Sequence, residues 1–389
     1  MIIYFLIFGA LGVGSLIDIF YENGRLKKNL YIVFIGILVI FFWTRAYIGY
    51  DWRNYMSYFQ STPDIIDLLF HGFPRGSSEK GFLTYLSIVK LFTDNYIVFN
   101  IINATLDFVF IYFLLKKYSK YPIFALFLYY GIYGIPFEIE WIRNIKSILL
   151  FMCSIEYIED RKFLPFFLIN LLGFTFHYSA LIYFPMYFLL KINWNKLVLI
   201  EIFLLTNIYY LLDIKLVGRL KHFKNIIPGV IGGKVDGYID AIPEHLILGV
   251  SIFYLQRVIM FILAFLMLKK LSEKRYGIIL ANSVFISAIV FFMGAEFSQF
   301  TLRIEKLFIF SYWLILPMTF ELYDNLKIKI GVIILAFSIS FLRVHNQLIF
   351  AGPKVYYYEN IFLEHKPPVE KRKIVTEAGK YENKIGEIH

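Results

Sequence analysis

Arg45, Asp51 and Arg53 in TRAYIGYDWRNY, Glu79 in SSEKGF, and Glu138, Glu140 and Arg143 in FEIEWIRN stand between long apolar runs. His177 in FTFHYSAL, the basic trio Arg219, Lys221 and Lys224, and Glu296, Arg303 and Glu305 complete the set. This mixture suits group transfer from a phosphate-activated donor to a hydroxyl. Arginines hold phosphate oxygens by charge-assisted, often bidentate hydrogen bonds, and they stabilise charge that develops as the bond to the leaving group breaks. A carboxylate or an imidazole takes the proton from the attacking hydroxyl. A lipid-pyrophosphate donor needs neither a nucleotide nor an Asp-x-Asp metal clamp, and the chain contains no Asp-x-Asp. Its seven histidines show no metal-ligand spacing, so neither a metal nor a cofactor is expected.

Each of these residues also has a plainer reading. Asp51 can cap a short helix that begins at Trp52. His177 can be a hydrogen-bonded residue where two spans meet. Arg143 can snorkel to headgroups or pair with the neighbouring Glu140. Glu138-x-Glu140 is a weak match to a metal pair. Arg219, Lys221 and Lys224 fit a lipid-facing basic stripe. Asp18, Asp107, Glu156, Glu201 and Arg257 lie in or near apolar runs and read as packing or topology residues.

The elements that must position these groups are membrane helices. The chain is 59% hydrophobic and 17% charged over 389 residues, too apolar for one aqueous core. Its apolar residues form uninterrupted runs rather than the alternation of a barrel, which implies an all-α, polytopic membrane protein of about twelve spans. The expected spans are Ile2–Phe20, Asn29–Thr44, Tyr96–Leu115, Tyr121–Phe137, Asn144–Ile158, Phe163–Phe176, Tyr178–Leu190, Asn195–Leu212, Leu246–Leu268, Gly277–Gly294, Ile304–Leu322 and Ile328–Val344. Residues 1–363 read as one transmembrane bundle. The first run lacks a basic leader and a small-residue cleavage site, so it reads as a span rather than a cleaved signal. Cys153 is the single cysteine, which excludes an intramolecular disulfide.

Six short hinges between alternate spans hold 16 Lys and Arg, which assigns them to the cytoplasmic side. The longer loops, about 45–95 and 213–245, then fall on the extracytoplasmic face. The net charge of +10 is explained by this pattern and by anionic lipid, without nucleic acid. Within the first loop, Gly81–Phe92 is too short to span and reads as a re-entrant or interfacial segment. Trp43, Trp52 and Trp141 fall where an aromatic belt sits, and they could equally stack on sugar rings. The tail from 364 to 389 is charged at 11 of 26 positions and reads as disordered.

The order Arg45, Gly49-Tyr50-Asp51, Tyr55 and Phe59 resembles the opening signature of EpsG-type polysaccharide polymerases, relatives of the Wzy O-antigen polymerases. Glu79-Lys80-Gly81-Phe82 looks like the family's Glu-x-Gly-Phe element. Arg143 and the run Phe176-His177-Tyr178-Ser179-Ala180-Leu181 are similar to the next two, and Arg303 and Tyr356-Tyr357 to the looser later ones. Tyr50 departs from an expected small or hydroxyl residue, and Asn144 from an expected Gln, which bears on fine substrate details. The resemblance implies a metal-independent glycosyltransferase of the bacterial cytoplasmic membrane, active on its outer side. Its substrates would be undecaprenyl-pyrophosphate-linked oligosaccharides, and a chain-length regulator and a flippase would be its partners beside the lipid bilayer. It also implies that Asp51, His177 and Glu79 are acid–base or acceptor-orienting residues. Arg45, Tyr55, Glu140, Arg143, Arg219 and Arg303 would contact substrate. A lipid-linked oligosaccharide flippase or an O-antigen-ligase-like transferase are the alternatives. A flippase predicts charges along a transbilayer path and a two-half repeat, whereas here the charges gather on one side.

Overall fold

The computed structural model describes residues 1–73, 79–214, 249–294, 303–349, 354–363 and 365–386. The described residues are helical, with no strand beyond one antiparallel bridge between Arg45 and Asn360. In chain order the helices are α1 (Ile2–Phe20), α2 (Gly24–Trp43), α3 (Trp52–Ser61), α4 (Ile65–His71), α5 (Lys80–Lys90) and α6 (Tyr96–Tyr118). Then come α7 (Pro122–Ile139), α8 (Ile142–Glu159), α9 (Phe163–Phe176), α10 (Lys196–Leu211), α11 (Ile252–Leu271) and α12 (Gly277–Gly294). The last are α13 (Phe310–Leu322), α14 (Leu326–Ile349) and α15 (Pro368–Gly386).

Seven of these, α1, α2, α6, α7, α11, α12 and α14, are long and apolar enough to cross a bilayer among the described residues. At a rise of 1.5 Å per residue, the 19 residues of α1 reach about 28 Å, close to the hydrocarbon thickness. The protein is a polytopic α-helical membrane protein. The count of about twelve is not reached by these criteria. α9 has 14 residues, α10 has 16 and α13 has 13, and Tyr178–Tyr183 is a 3₁₀ turn. α8 is long enough but carries Arg143, Lys146, Glu156 and Glu159.

Asparagines start several of the spans. Asn23, Asn95 and Asn195 cap α2, α6 and α10 by accepting from the backbone N–H of Leu26, Ile97 and Leu197 at 3.0, 2.8 and 2.8 Å. Lys116 and Lys117 end α6, and Lys269 and Lys270 end α11, where cations complement exposed carbonyls. Asp18, at the end of α1, accepts from the N–H groups of Ile123 and Phe124 at 2.9 and 3.2 Å and so caps α7 from a neighbouring helix.

The chain divides into two compact units: residues 1–153, 168–178 and 316–389, and residues 154–167 and 179–315. In the first, α7 is the central helix, nearly all of it buried. It is not continuous: Ile132 (φ −113°, ψ 85°) and Tyr133 (φ 74°) leave helical geometry inside the segment Tyr130–Gly134. Irregular backbone at membrane depth survives only where protein covers it. Here α14 does so, and a Cβ on Gly131 would lie 2.3 Å from Cβ of Ser340. Beyond α14 the chain returns along the stretch that follows α2. Ala46 N–H donates to Glu359 O at 2.8 Å, Gly49 N–H to Val355 O at 3.1 Å, and Ile361 N–H to Thr44 O at 2.8 Å. This pairing puts the C-terminal region on the same side of the unit as the first loop.

The charged tail carries one more helix. Its residues Pro368–Gly386 form α15, held by a buried ion pair of Lys371 with Glu359 at 2.8 Å and by buried Val375. Composition conceals this, because the anchors are one lysine and one valine in a charged stretch.

In the second unit, α10 packs on α11 through Phe203 on Phe261 (4.3 Å between centroids) and Tyr210 on Tyr254 (5.1 Å), and α11 meets α12 through Phe261 and Phe285 (4.7 Å). Asn282 of α12 donates to Leu190 O and Ile192 O at 2.8 and 2.9 Å, which satisfies carbonyls after the short turn at 178–189.

Candidate functional site

The stretch after α2 reaches α3 through a turn that only glycine allows. Gly49 has φ +87°, and a Cβ there would lie 2.6 Å from Cγ2 of Ile139 and 3.1 Å from Oε1 of Glu140. That close approach brings the Tyr50 N–H to Glu140 Oε1 at 3.0 Å. Asp51 then occupies the N-cap position of α3 but makes no side-chain capping bond; its Oδ1 accepts from Asn54 Nδ2 at 3.2 Å. The capping role open to it in the sequence is therefore not the one it plays.

One turn on, the Tyr55 hydroxyl donates to Glu140 O at 2.9 Å. Burial pushes this phenol up to about 12, with Arg143 opposing, so it stays protonated and acts as a donor at physiological pH. The hydroxyl of Tyr356 bonds Glu140 and accepts from Gln347 Nε2 on α14. Burial holds Tyr356 well above the usual phenol value. Glu140 thus joins the Gly-Tyr-Asp turn, α3, the start of α8 and the C-terminal return.

Arg143, in the first turn of α8, lies over the rings of Tyr55, Tyr58 and Phe82, each 5.8 Å from its guanidinium carbon. Its Nη1 meets Glu79 Oε2 at 2.5 Å. This ion pair is with Glu79, whereas the neighbouring Glu140 precedes α8 and its Oε1 accepts from the Tyr50 N–H. Arg143 is 22% exposed and Glu79 5%. Glu79 stands at the N-cap position of α5, and Phe82 beneath the guanidinium is fully buried in a cluster with Trp52, Tyr55 and Phe59. Gly81 lies between them because α5 presses on α9: a Cβ there would sit 2.0 Å from Oγ1 of Thr175 and 2.9 Å from its carbonyl carbon. The ring of Phe176 contacts Tyr85 at 6.1 Å. His177, half-buried, is the next residue and ends α9, its N–H donating to Gly173 O at 3.1 Å. The last turn of α9 therefore brings His177 toward the start of α5.

Arg45 is 5% exposed, with its Nε buried and unmatched by any acceptor among the described residues. Burial pulls its guanidinium below the usual value, and Tyr96, Glu138, Tyr4 and Tyr358 pull it back. Arg303 is exposed and belongs to the second unit, two residues before Glu305, whose buried carboxylate pairs with Arg257 at 2.7 Å. Arg219 lies outside the described residues, as do Lys221, Lys224 and Glu296.

A second polar group lies deeper in the first unit, built around Lys146, which was not singled out in the sequence. Lys146, one turn beyond Arg143, reaches Asp107 Oδ2 at 2.5 Å and Asn103 Oδ1 at 2.8 Å on α6. Glu138, fully buried on α7, accepts from the Tyr129 hydroxyl at 2.5 Å and lies within electrostatic reach of Asp107, Lys146 and Arg45. Asp107 read as a packing or topology residue and Glu138 as one of the candidate acids, and the spacing of Lys146 from Arg143 was the one available signal for the group. Arg343 of α14 is also new: its guanidinium lies 4.5 Å from the Tyr133 ring and bonds that hydroxyl at 2.7 Å, on the interrupted stretch of α7. Among the described residues no three His, Cys, Asp or Glu side chains converge as a metal site.

These elements define a membrane protein in which four sequence-distant segments meet at one end of the first unit. The EpsG family model matches residues 28–360, and the chain belongs to the EpsG family. Neither a curated protein nor a solved structure matches it. Family membership supports a polysaccharide-polymerase type of role.

Proposed function

We propose that this protein polymerises lipid-linked oligosaccharide repeat units at the outer face of the bacterial cytoplasmic membrane. The reading rests on one observation above others. The Gly49-Tyr50-Asp51 turn, Glu79-x-Gly81-Phe82, Arg143 and Tyr356 are joined through Glu140 and the Arg143–Glu79 pair. In the proposed reaction an acceptor hydroxyl oxygen attacks the anomeric carbon of the growing chain. The bond from that carbon to undecaprenyl pyrophosphate breaks, the pyrophosphate leaves with the electron pair, and the hydroxyl proton passes to Asp51 or His177. Arg143 holds the pyrophosphate through its planar fork, and Glu79 and the three rings set the plane of that fork. Tyr55, its hydroxyl tied to Glu140 O, lines the same place, and Arg45 contacts the substrate from deeper in the unit.

Purified protein incubated with synthetic lipid-pyrophosphate repeat units is expected to yield a ladder of products. Transfer of a single finished glycan to another acceptor would indicate a ligase instead. Chain growth is expected to survive a strong chelator; loss on chelation with rescue by one divalent metal would overturn the metal-independent chemistry.

The orientation is checked separately. Cysteines at Ser78 and Gly232 are expected to react with an impermeant thiol reagent in intact spheroplasts, and one at Ser272 only after permeabilisation. Labelling at Ser272 from outside would reverse the assigned sides.

A further inference from the structure

The short helix α4 carries an apolar face that nothing among the described residues covers. Leu68 turns inward, whereas Ile66, Leu69 and Phe70 are exposed, Leu69 to 78% and Phe70 to 82%. They follow the i, i+3, i+4 spacing of one helical stripe, and Asp67 and His71 form the polar stripe beside it. Seven residues make too short a helix to persist in water by its own hydrogen bonds. Helix α5 repeats the pattern. Leu83, Leu86 and Val89 are buried, and Ile88, Leu91 and Phe92 point out, Phe92 at 77%.

Three bonds fasten the end of α3 and the link before α4 to the end of α5. Ser87 Oγ donates to Pro63 O at 2.8 Å, and Lys90 Nζ bonds the carbonyls of Gln60 and Thr62. That end of the hairpin stands at the mouth of a span. Phe92 is four residues from Tyr96, where α6 begins, and Tyr96 and Phe99 share the buried cluster of Leu83, Leu86 and Val89. The outward Leu91 and Phe92 thus adjoin the lipid-facing side of α6, where Val98, Val109 and Phe113 are exposed.

We propose that α4 and the end of α5 form a wedge that dips into the bilayer leaflet at the N-terminal end of α6. Ile66, Leu69, Phe70, Leu91 and Phe92 contact the acyl chains, and Asp67 and His71 remain at the headgroups. The occupant is bilayer lipid because the exposed apolar surface continues that of a membrane span. Soluble proteins do not leave such a contiguous patch open to water, and an amphipathic helix of this kind lies in the interface with its apolar side down. Glu79 stands at the other end of the same hairpin. On the polymerase reading, the wedge holds Glu79 and Arg143 at the depth where a lipid-linked pyrophosphate lies.

The test uses full-length protein in phosphatidylcholine vesicles, with Cys153→Ser as background and an NBD probe on Phe70→Cys or His71→Cys. The Phe70 probe is expected to be quenched several-fold more by lipids spin-labelled in the acyl chain than by aqueous iodide, and the His71 probe to show the reverse order. Quenching of the Phe70 probe by iodide alone would overturn the wedge. Shielding from both quenchers would overturn it as well, and would point to a protein surface, a second copy or a partner. Neither probe requires turnover, so the wedge stands or falls independently of the polymerase assay. If wild type makes polymer, Leu69→Asp with Phe70→Asp is expected to raise KM for the lipid-linked donor several-fold at near-constant kcat. An unchanged KM would remove the link between the wedge and the substrate.

Discussion

Arg143→Ala is expected to abolish detectable chain growth while the protein still accumulates in the membrane. A guanidinium that grips the pyrophosphate in a desolvated site contributes roughly 2–4 kcal/mol to the transition state, or about 30- to 1,000-fold in rate. Arg143→Lys is the sharper variant. The ammonium can keep the charge opposite Glu79, but it loses the planar stack over Tyr55, Tyr58 and Phe82 and the bidentate edge. Partial rescue, with most of the defect in kcat, is therefore the expected result. A headgroup-snorkelling arginine, or one kept only for its ion pair, would let Lys restore nearly everything. Full activity of Arg143→Lys with normal donor affinity would sink the assignment and shift attention to Arg45. Glu79→Gln supplies a second measure: if Glu79 orients the fork, it lowers kcat less than Arg143→Ala does, because the guanidinium remains.

The sequence made some of this legible and concealed the rest for physical reasons. The bounds of α1 and α12 coincide with uninterrupted apolar runs, because nothing in those runs competes with a helix that satisfies its own backbone in lipid. The interruption of α7 was not read, although Gly131 and Gly134 bracket it; its cause is the close passage of α14, two hundred residues away in the chain. Short motifs were easier to see than to explain. Gly49 and Gly81 mark the two places where backbone passes within a Cβ of another segment, and no local pattern states which segment that is. The pairing of Arg143 with Glu79 was hidden for the same reason. Glu140 is three residues away and Glu79 is 64 away, yet Glu140 lies before the helix begins and so shares no face with Arg143. Charge composition alone likewise could not reveal that α15 docks through Lys371 and Val375.

Removal of one charge from the inner polar group is expected to give the largest loss of stability. Lys146 and Asp107 are buried on facing helices, and Glu138 adds a second carboxylate within reach of both. Ionisable groups at membrane depth are costly, and a pair of them persists only through mutual compensation. Lys146→Met leaves Asp107 facing Glu138 without its cation, a loss of about 3–5 kcal/mol. Such a change is expected to lower the thermal midpoint in detergent and the amount of protein recovered. Lys146→Met combined with Asp107→Leu removes both charges and should restore much of that loss, since hydrophobic replacement of a buried pair is often neutral. The double variant then separates two roles. If the pair only joins α6 to α8, chain growth returns with stability. If it also fixes the first turn of α8, and with it Arg143, the protein returns to the membrane with a reduced kcat. A double variant as unstable as Lys146→Met alone would show that the two residues are not energetically coupled and would overturn the assignment of this pair as the buried link between the two helices.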